Sequence, residues 1–553
     1  MIGKSWGGFN GLQVAARRPP ALKAVVSVYS TDDRYATDAH YMGGCLLTPE
    51  MLGWGTMMHT VATLPPDPRS VGERWKELWM ERLDAFHPQI HTWLKHQHRD
   101  DYWKHGSVCE DFGAIECPVY SVGGWFDGYR DTVFRLMAGL PGPRKGLIGP
   151  WSHQWPMDPF EPGPHIGFLQ ECIRFFDTYL KGHNTKINDE PPLRAFIQDP
   201  VRPATHYAIR PGRWAAEPSW PSPDMHSQRM FLNGTNTLDE TSGPETPLEF
   251  LGAQVSGQDA GKWCPYGGLL DAPPDQRAED GMSLSFTSSP LTEPIEILGN
   301  PVAQLSLSVD RPRALVAVRL CDVWPDGAST LLSYGLLNLT HYKSHERPEA
   351  LRPGVRFEAR VVLPAIGQLL PVGHRMRISV SPTYFPQAWP SPQPVTLTLF
   401  AGACSIDMPV RGSSPLDHYL TAFQPPETGP PIETDIEEVT GLSRTVSKDP
   451  LSGRVETQHR APVDRVRLRD GLEIQQTNDY SCEITEGDPL SARYRVERTV
   501  ALKRGRWDTR LVAESELTAD LEQFYLRCAI QAFDGGQPFF DRTWTLTVPR
   551  DFV

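Results

Sequence analysis

The pentapeptide Gly3-Lys4-Ser5-Trp6-Gly7 constrains the fold of this chain more than any other stretch. It fits Gly-x-Ser-x-Gly, a pattern typical of a nucleophile elbow, where a strand turns sharply into a helix and holds a serine hydroxyl at the edge of a sheet. Glycines are favoured there because the turn is strained and its backbone passes close to the following helix. Two other interpretations stay open: a glycine-rich start with a solvated serine, and the tail of a phosphate-binding loop.

Strand and helix alternate after this turn. Residues 9–17 predict a helix that ends before a proline pair, and apolar runs at 22–29, 119–124 and 145–149 predict buried strands. Alternation of this kind with right-handed crossovers indicates a parallel sheet. Between about 45 and 112 the pattern is helical instead, which indicates a cap inserted over the sheet edge.

One further helix closes this region. Residues 166–181 have helical periodicity, and we predict that Leu169, Ile173, Phe176 and Leu180 form its buried face. The glycine at position 182 is a typical helix end.

The remaining two thirds of the chain predict β structure. Short β-rich runs separated by proline and glycine turns over 186–411 are typical of a jelly-roll β-sandwich. A proline-rich linker covers 412–431, and alternating runs over 432–553 predict an additional β-rich domain. The fold class is therefore α/β plus all-β, with residues 1–185 as an α/β domain.

Composition excludes several classes of protein. The net charge of -13 argues against nucleic-acid binding, which needs clustered positive charge. No stretch approaches the ~20 apolar residues of a membrane helix, so we predict no membrane partner. Nine cysteines without a Cys-x-x-Cys pair predict buried thiols in a reducing, cytoplasmic compartment, and neither a structural metal nor a cofactor. Self-association into a homo-oligomer stays open.

Three reactive residues occur in the order Ser5, Asp127, His153, each just past the carboxyl end of a predicted strand. This is the chain order of an α/β-hydrolase triad. In such a triad His153 takes the serine proton and returns it to the leaving group, while Asp127 holds the imidazole in one tautomer. A phosphate-binding loop explains neither the aspartate nor the histidine, so the coincidence favours catalysis.

The motifs around these residues resemble those of the cocaine esterase and X-Pro dipeptidyl-peptidase family of serine hydrolases. They are Gly3-Lys4-Ser5-Trp6-Gly7-Gly8, Gly124-Trp125-Phe126-Asp127-Gly128-Tyr129 and Gly149-Pro150-Trp151-Ser152-His153. Later segments resemble the family's carboxy-terminal jelly roll: Ser289-Pro290-Leu291, the run from Leu320 to Gly327, Leu351-Arg352-Pro353-Gly354 and the run from Val372 to Arg377. The resemblance covers residues 1 to about 411 and not the last unit.

The resemblance implies the triad named above and the backbone N–H of Trp6 as one oxyanion donor. A second donor in the family is usually a tyrosine hydroxyl upstream of the elbow, and family members carry several strands before the elbow. Here only Met1 and Ile2 precede Gly3. We therefore expect an incomplete hydrolase domain. Because a missing oxyanion donor costs about 10²–10³ in rate, we also expect a chain that is unstable or nearly inactive alone.

Other candidate residues have competing structural interpretations. The aromatic residues Trp54, Phe126, Tyr129, Trp151 and Trp155 are candidates for a substrate pocket, with plain packing as the alternative. Asp32 and Asp33 are candidates for binding an amine or replacing the relay carboxylate, although loop capping is the commoner use. The histidines of the cap (His87, His91, His96, His98 and His105) lack a recognisable metal-ligand spacing, and we expect surface positions.

The sequence thus predicts a serine hydrolase that cleaves an ester or amide of a small-molecule or short-peptide acyl substrate through an acyl-enzyme. An X-Pro dipeptidyl-peptidase is the first alternative, and it needs a carboxylate pair for the free α-amine that we cannot assign. A non-catalytic binding protein, whose function lies in the β-rich units, is the second.

Overall fold

A computed structural model describes residues 1–36, 38–265 and 271–553. Its first region is an α/β layer with helical additions. The elements are β1 (Ile2–Lys4), α1 (Trp6–Ala16), β2 (Val25–Val28), β3 (Tyr41–Met42), β4 (Cys45–Leu46), α2 (Thr48–Thr63), α3 (Pro68–Val71), α4 (Trp75–Ala85), α5 (Gln89–Lys95), α6 (Asp101–His105), β5 (Val119–Gly124), α7 (Arg130–Gly139), β6 (Arg144–Gly149), α8 (Phe168–Lys181), β7 (Leu193–Gln198) and β8 (Gly212–Glu217).

Strands β1, β2, β5, β6 and β7 pair in that order, and every pair is parallel. Helices α1, α7 and α8 provide crossovers, and α2 to α6 form the predicted cap between β2 and β5. Strand β7 pairs with β6 although the predicted domain boundary at residue 185 precedes it. The parallel sheet therefore extends to residue 198 before the chain enters the all-β part.

Helix α8 lies where the periodicity predicts it, but the predicted buried face is wrong. Leu169, Ile173 and Leu180 are exposed by 37%, 59% and 56%, and of the four predicted residues Phe176 alone packs, half-buried, against the sheet core. The fully buried side chains of this helix are instead Phe168, Cys172 and Phe175, together with the polar Glu171. Both sides of this helix carry apolar residues at helical spacing. The periodicity alone therefore could not select which side faces the sheet.

The second region is a two-sheet β structure. Its elements are β9 (Met225–Leu232), β10 (Leu238–Asp239), β11 (Thr246–Leu251), α9 (Arg277–Gly281), β12 (Leu284–Thr287), β13 (Ile295–Gly299), β14 (Val302–Val309), β15 (Leu315–Val323), β16 (Ser329–Asn338), β17 (Phe357–Val362), β18 (Ile366–Leu370), β19 (Arg375–Ser381), β20 (Thr396–Ala401) and β21 (Cys404–Arg411). Strands β12, β19, β15 and β16 form one sheet, and most of the others continue the sheet of the first region through a β7–β18 contact. Apolar side chains from both sheets share one core, as in a β-sandwich.

The last region is a nine-stranded antiparallel sheet. Its strands are β22 (Thr434–Thr440), β23 (Ser443–Lys448), β24 (Arg454–Arg460), β25 (Val463–Leu468), β26 (Glu473–Thr485), β27 (Asp488–Arg504), β28 (Trp507–Ala519), β29 (Gln523–Asp534) and β30 (Gln537–Pro549). One face packs on the cap, where Trp79 stacks on Phe539 at 4.8 Å between ring centroids, and Leu83 shares the same core. This sheet therefore covers the cap helices rather than standing apart.

No helix in the described ranges is both long and apolar enough to cross a bilayer. Each of the nine cysteines carries a free thiol, and seven of them are buried, which confirms the prediction of buried thiols.

Candidate active site

The register of the parallel strands brings the three predicted catalytic residues to one edge of the sheet. Lys4 pairs with Val28, Val28 with Val122, and Gly124 with Gly149. Ser5 follows β1 directly, whereas Asp127 and His153 follow β5 and β6 within a few residues. Carboxyl ends of parallel strands form the ligand-binding edge of such sheets, so the topology supports a shared site.

Ser5 has the strained backbone that an elbow requires. Its φ is 59° and its ψ is -122°, a region that non-glycine residues rarely adopt. Its N–H donates to the Val28 carbonyl at 2.8 Å. A Cβ on Gly3 would lie 2.3 Å from the Gly7 carbonyl carbon, and one on Gly8 would lie 2.9 Å from the Gly3 carbonyl oxygen. Glycine at these two positions lets α1 lie against β1 and hold the turn.

His153 and Asp127 form a buried hydrogen-bonded pair through Nδ1 and Oδ2, and the two residues are 2% and 1% exposed. The other carboxylate oxygen accepts the Tyr129 backbone N–H at 2.8 Å, and the Cys264 thiol lies 3.6 Å from Oδ2. An ionised carboxylate can only accept hydrogen bonds, so Nδ1 carries the proton and Nε2 keeps its lone pair. An imidazole in this tautomer can accept a proton at Nε2.

Several contacts hold the histidine loop against the elbow. The Lys4 ammonium donates to the His153 carbonyl at 3.4 Å, and the His153 N–H donates to the Pro265 carbonyl at 3.3 Å. The ring centroids of Tyr29 and Tyr129 lie 5.6 and 5.8 Å from that of the His153 imidazole. Within the described residues no hydrogen bond joins the Ser5 hydroxyl to the His153 ring, a contact that often forms only when substrate binds.

Asp127, His153 and Cys264 also offer three donor atoms within 4.8 Å of one another, a set that Zn²⁺ accepts by donor type. However, Nδ1 and Oδ2 bond to each other rather than converging on a common point. This arrangement fits a proton relay better than a metal centre.

A cavity of about 220 Å³, which we call the interdomain cavity, lies beside the relay. Cys264 and Pro265, which contact Asp127 and His153, form part of its wall. Other walls come from the cap helix α2, the loop before residue 266 and the last sheet: Glu50, Trp54, Lys262, Arg444, Thr457, His459 and Tyr480. The carboxy-terminal sheet, which the family resemblance does not cover, therefore encloses the space next to the candidate relay.

The predicted pocket aromatics separate into different positions. Trp54 lines the interdomain cavity, and Tyr129 packs on the His153 ring with its hydroxyl bonded to Asp38 at 3.1 Å. Phe126 lines a second cavity, described below. Trp151 is different: it is 2% exposed and its Nε1 bonds to the Pro164 carbonyl at 2.9 Å. Trp151 therefore makes packing contacts, and its place in a substrate pocket stays a prediction.

The two loop aspartates make the structural contacts that were the alternative to a role in the site. Asp32 pairs with Arg135 of α7, and Asp33 caps its own loop through the backbone N–H groups of Tyr35 and Ala36. The cap histidines make separate contacts: His87 with His91, His96 with Asp100, and His98 with Asp551.

Several residues near the site could not be identified from the sequence. Lys262, Trp263, Cys264 and Pro265 lie in an irregular segment between β11 and α9 that contains no motif, and Glu50 sits in an ordinary helix. Their roles arise because the β-sandwich and the cap fold back over the sheet edge. Tyr29, by contrast, ends a predicted strand beside the elbow. That position could have identified it from the sequence as a residue near the site.

Glu50 has an unusual ionisation that gives a pH-dependent prediction. Burial raises its pKa to about 7 from 4.5, while Lys262 opposes the shift and Asp127 adds to it. The folded state binds this proton more tightly than the unfolded state, so stability is lost as pH rises from about 4.5 to about 7. We expect Glu50→Gln to be more stable than the wild-type chain by about 1–2 kcal/mol at pH 8 and equal to it at pH 4, by thermal unfolding.

The same substitution at Glu81, on the exposed surface of α4, controls for the removal of one charge. An equal gain in both variants, or a gain at pH 4 only, would show that the Glu50 carboxyl does not titrate in this way.

Comparisons with known proteins relate this chain to known hydrolases. Residues 1–155 match the family model of X-Pro dipeptidyl-peptidase (S15 family), and residues 184–408 match that of the X-Pro dipeptidyl-peptidase C-terminal non-catalytic domain. The chain is similar to the cocaine esterase of Rhodococcus sp. (strain MB1 Bresler), with 24% identity over 437 residues that cover 70% of this chain and 73% of the esterase. A putative serine esterase of Mycobacterium bovis is 28% identical over 312 residues, which are 51% of this chain and 46% of that relative. The chain thus spans under half the length of the mycobacterial relative.

Solved structures share the fold. An α-amino acid ester hydrolase is 19% identical with a TM-score of 0.57, covering 74% of this chain and 76% of that one. A CocE/NonD family hydrolase from Staphylococcus aureus is 15% identical with a TM-score of 0.54, covering 74% of this chain and 71% of that one. The two models over residues 1–155 and 184–408, together with the esterase relative, support placing this chain with the hydrolases of the X-Pro dipeptidyl-peptidase (S15) family, and the solved structures agree with its fold.

Proposed function

We propose that this hydrolase cleaves an ester or amide bond through an acyl-enzyme, with Ser5 as nucleophile, His153 as general base and acid, and Asp127 as the residue that orients the imidazole. The observation that carries the proposal is the buried Nδ1–Oδ2 pair of His153 and Asp127, next to a serine with φ 59° at the same sheet edge. A serine held out at a nucleophile elbow and a base beside it are the two groups that acyl transfer uses in this fold.

In the proposed reaction, the Ser5 hydroxyl attacks the carbonyl carbon and its proton passes to Nε2 of His153. Asp127 stabilises the imidazolium that forms. The oxyanion lies at the start of α1, where the Trp6 N–H has no intrahelical acceptor and the helix dipole is positive. Nε2 then protonates the leaving group, and a water molecule activated by the same nitrogen hydrolyses the acyl-Ser5 ester.

The geometry favours an ester or acylated substrate over the dipeptide substrate of an X-Pro peptidase. A free α-amine needs available carboxylates, and Asp271 in the interdomain cavity already pairs with Arg444 at 3.2 Å. Glu50, the other carboxyl there, has a pKa raised to about 7 by burial. One weakly ionised carboxyl is a poor site for an ammonium group.

Labelling with a fluorophosphonate probe tests the proposal directly, because the probe reacts with a serine only when a base activates it. We expect one adduct on the tryptic peptide that contains Ser5, and no adduct in Ser5→Ala. Ser152→Ala, which changes a buried serine beside His153 outside the relay, is the matched control and should label normally. If the folded chain does not label at Ser5, the alternative hypothesis of a non-catalytic binding protein is favoured.

A further inference from the structure

A small cavity beside Asp127 is lined by three cations and, among the described residues, by no carboxylate. This arginine cavity, of about 90 Å³, is lined by Arg130, Arg210 and Lys262 together with apolar side chains that include Trp125, Phe126 and Trp263. It lies between the parallel sheet and the β-sandwich, since β7, β16 and β18 also contribute to its walls.

Arg210 is the strongest evidence for a ligand. It is 5% exposed, and its side chain makes no hydrogen bond or ion pair with a described residue; its buried Nε has no acceptor. The guanidinium instead lies over the rings of Tyr207 at 4.8 Å and Phe126 at 5.3 Å. Burial lowers the pKa of Arg210 to about 10. A buried cation without an anion is costly, and a negative group bound there would offset that cost.

The other two cations are also without ion-pair partners in the part of the chain that the structure describes. Arg130 donates only to the Trp125 carbonyl, at 2.7 Å, and its Nε has no acceptor. Burial lowers the pKa of Arg130 and of Lys262. Two carboxylates, Asp127 and Asp131, raise the pKa of Arg130 from beyond ion-pair distance. Two others, Asp271 and Glu50, do the same for Lys262. The cavity therefore keeps an excess of positive charge.

The cavity adjoins the candidate site through neighbouring residues. Phe126 immediately precedes Asp127, and Trp263 immediately precedes Cys264, whose sulfur lies 3.6 Å from the Asp127 carboxylate. Lys262 lines both this cavity and the interdomain cavity. This adjacency motivates a substrate whose reacting carbonyl lies at the elbow and whose charged end lies among the cations.

We propose that the arginine cavity binds the carboxylate of an anionic substrate, so that this enzyme prefers acyl compounds that carry a free carboxylate away from the bond that is cleaved. This inference rests on the proposed function. A single carboxylate on an apolar chain fits the small volume and the aromatic walls, and Arg210 and Lys262 supply charge-assisted hydrogen bonds.

The binding test uses monomethyl succinate as the anionic probe and dimethyl succinate as its neutral counterpart, with the intact Ser5→Ala chain. Binding is measured by isothermal titration calorimetry. We expect only the monoester to bind, and Arg210→Gln to weaken that binding about 10- to 100-fold. The control is Arg202→Gln, which removes an exposed arginine paired with Asp326 and should bind normally. Lys262→Met is the second variant and should also weaken binding.

Equal binding of the two probes, or unchanged monoester binding in Arg210→Gln, would overturn the proposal. So would binding of inorganic phosphate in preference to the monoester. Because an unpaired buried cation is removed, we expect the melting temperature of Arg210→Gln to be unchanged or higher. Loss of binding together with unfolding would show a structural role instead.

The kinetic test compares 4-nitrophenyl hemisuccinate with the neutral 4-nitrophenyl butyrate. Arg210→Gln should lower kcat/KM for the anionic ester about 10- to 100-fold and change that for the neutral ester less than threefold. An equal loss for both esters would contradict the assignment of the cavity to the carboxylate. The binding test does not need turnover, so it reports on the arginine cavity even if Ser5 does not label. A failure to label would contradict the proposed function. The binding result would still decide whether the cavity holds a carboxylate.

Discussion

Replacing Asp127 with asparagine should slow the acylation of Ser5 by about 10⁴-fold. Asparagine keeps the shape of the side chain, but its amide can donate to Nδ1, and the ring then places its proton on Nε2. The imidazole can no longer accept the serine proton. The measurement is the second-order rate constant for fluorophosphonate labelling, which needs only an activated nucleophile and can be followed even when turnover is slow.

The matched control is Asp158→Asn, which removes a carboxylate whose charge reaches Lys4 and Tyr29 but which has no bond to His153. It should label within about threefold of the wild-type rate. If Asp127→Asn labels within tenfold of wild type, the Asp127–His153 hydrogen bond does not carry the reaction and the proposed triad fails.

Replacing Gly3 with alanine should disable the elbow without touching a catalytic group. The new Cβ would lie 2.3 Å from the carbonyl carbon and 2.4 Å from the carbonyl oxygen of Gly7, so backbone must move. A displacement of about 1 Å at a reacting group costs about 10²-fold in rate, and overpacking costs about 1–3 kcal/mol of stability. We expect labelling at Ser5 to fall at least 10²-fold and the melting temperature to fall.

Gly7→Ala is a control within the same motif. A Cβ at Gly7 meets no atom within 4 Å, and the residue has ordinary helical geometry. We expect its labelling rate and melting temperature to stay close to those of the wild-type chain. Similar losses in the two variants would mean that glycine is needed at both positions for flexibility rather than for space at Gly3.

Much of the fold was predictable because local periodicity reflects burial. The strands at 25–28, 119–124 and 144–149, the helical cap and the β-rich character after residue 190 all follow from short-range patterns. Errors arose where the pattern was ambiguous. Helix α8 has apolar residues on two sides, and only the packing of Phe168, Cys172 and Phe175 on the sheet decides which side is buried. Strand β29, which pairs with β28 and with the edge strand β30, was not among the runs predicted within residues 432–553.

The candidate catalytic residues were identifiable from the sequence because each follows a strand whose end lies at the same edge of the sheet. The residues that surround them could not be identified from the sequence. The relay contacts Cys264 and Pro265 and the cavities beside it combine segments from the cap, the β-sandwich and the carboxy-terminal sheet.

The sequence by itself therefore determined the order of strands and helices, the strained turn at Ser5 and the residue types available for proton transfer. The tertiary structure alone decided which distant side chains enclose them, above all the unpaired Arg210 against Phe126 and the last sheet against the interdomain cavity. The physical reason is that backbone conformation follows from neighbouring residues. The burial and charge of a site instead depend on which separate segments pack together, and no short pattern encodes that.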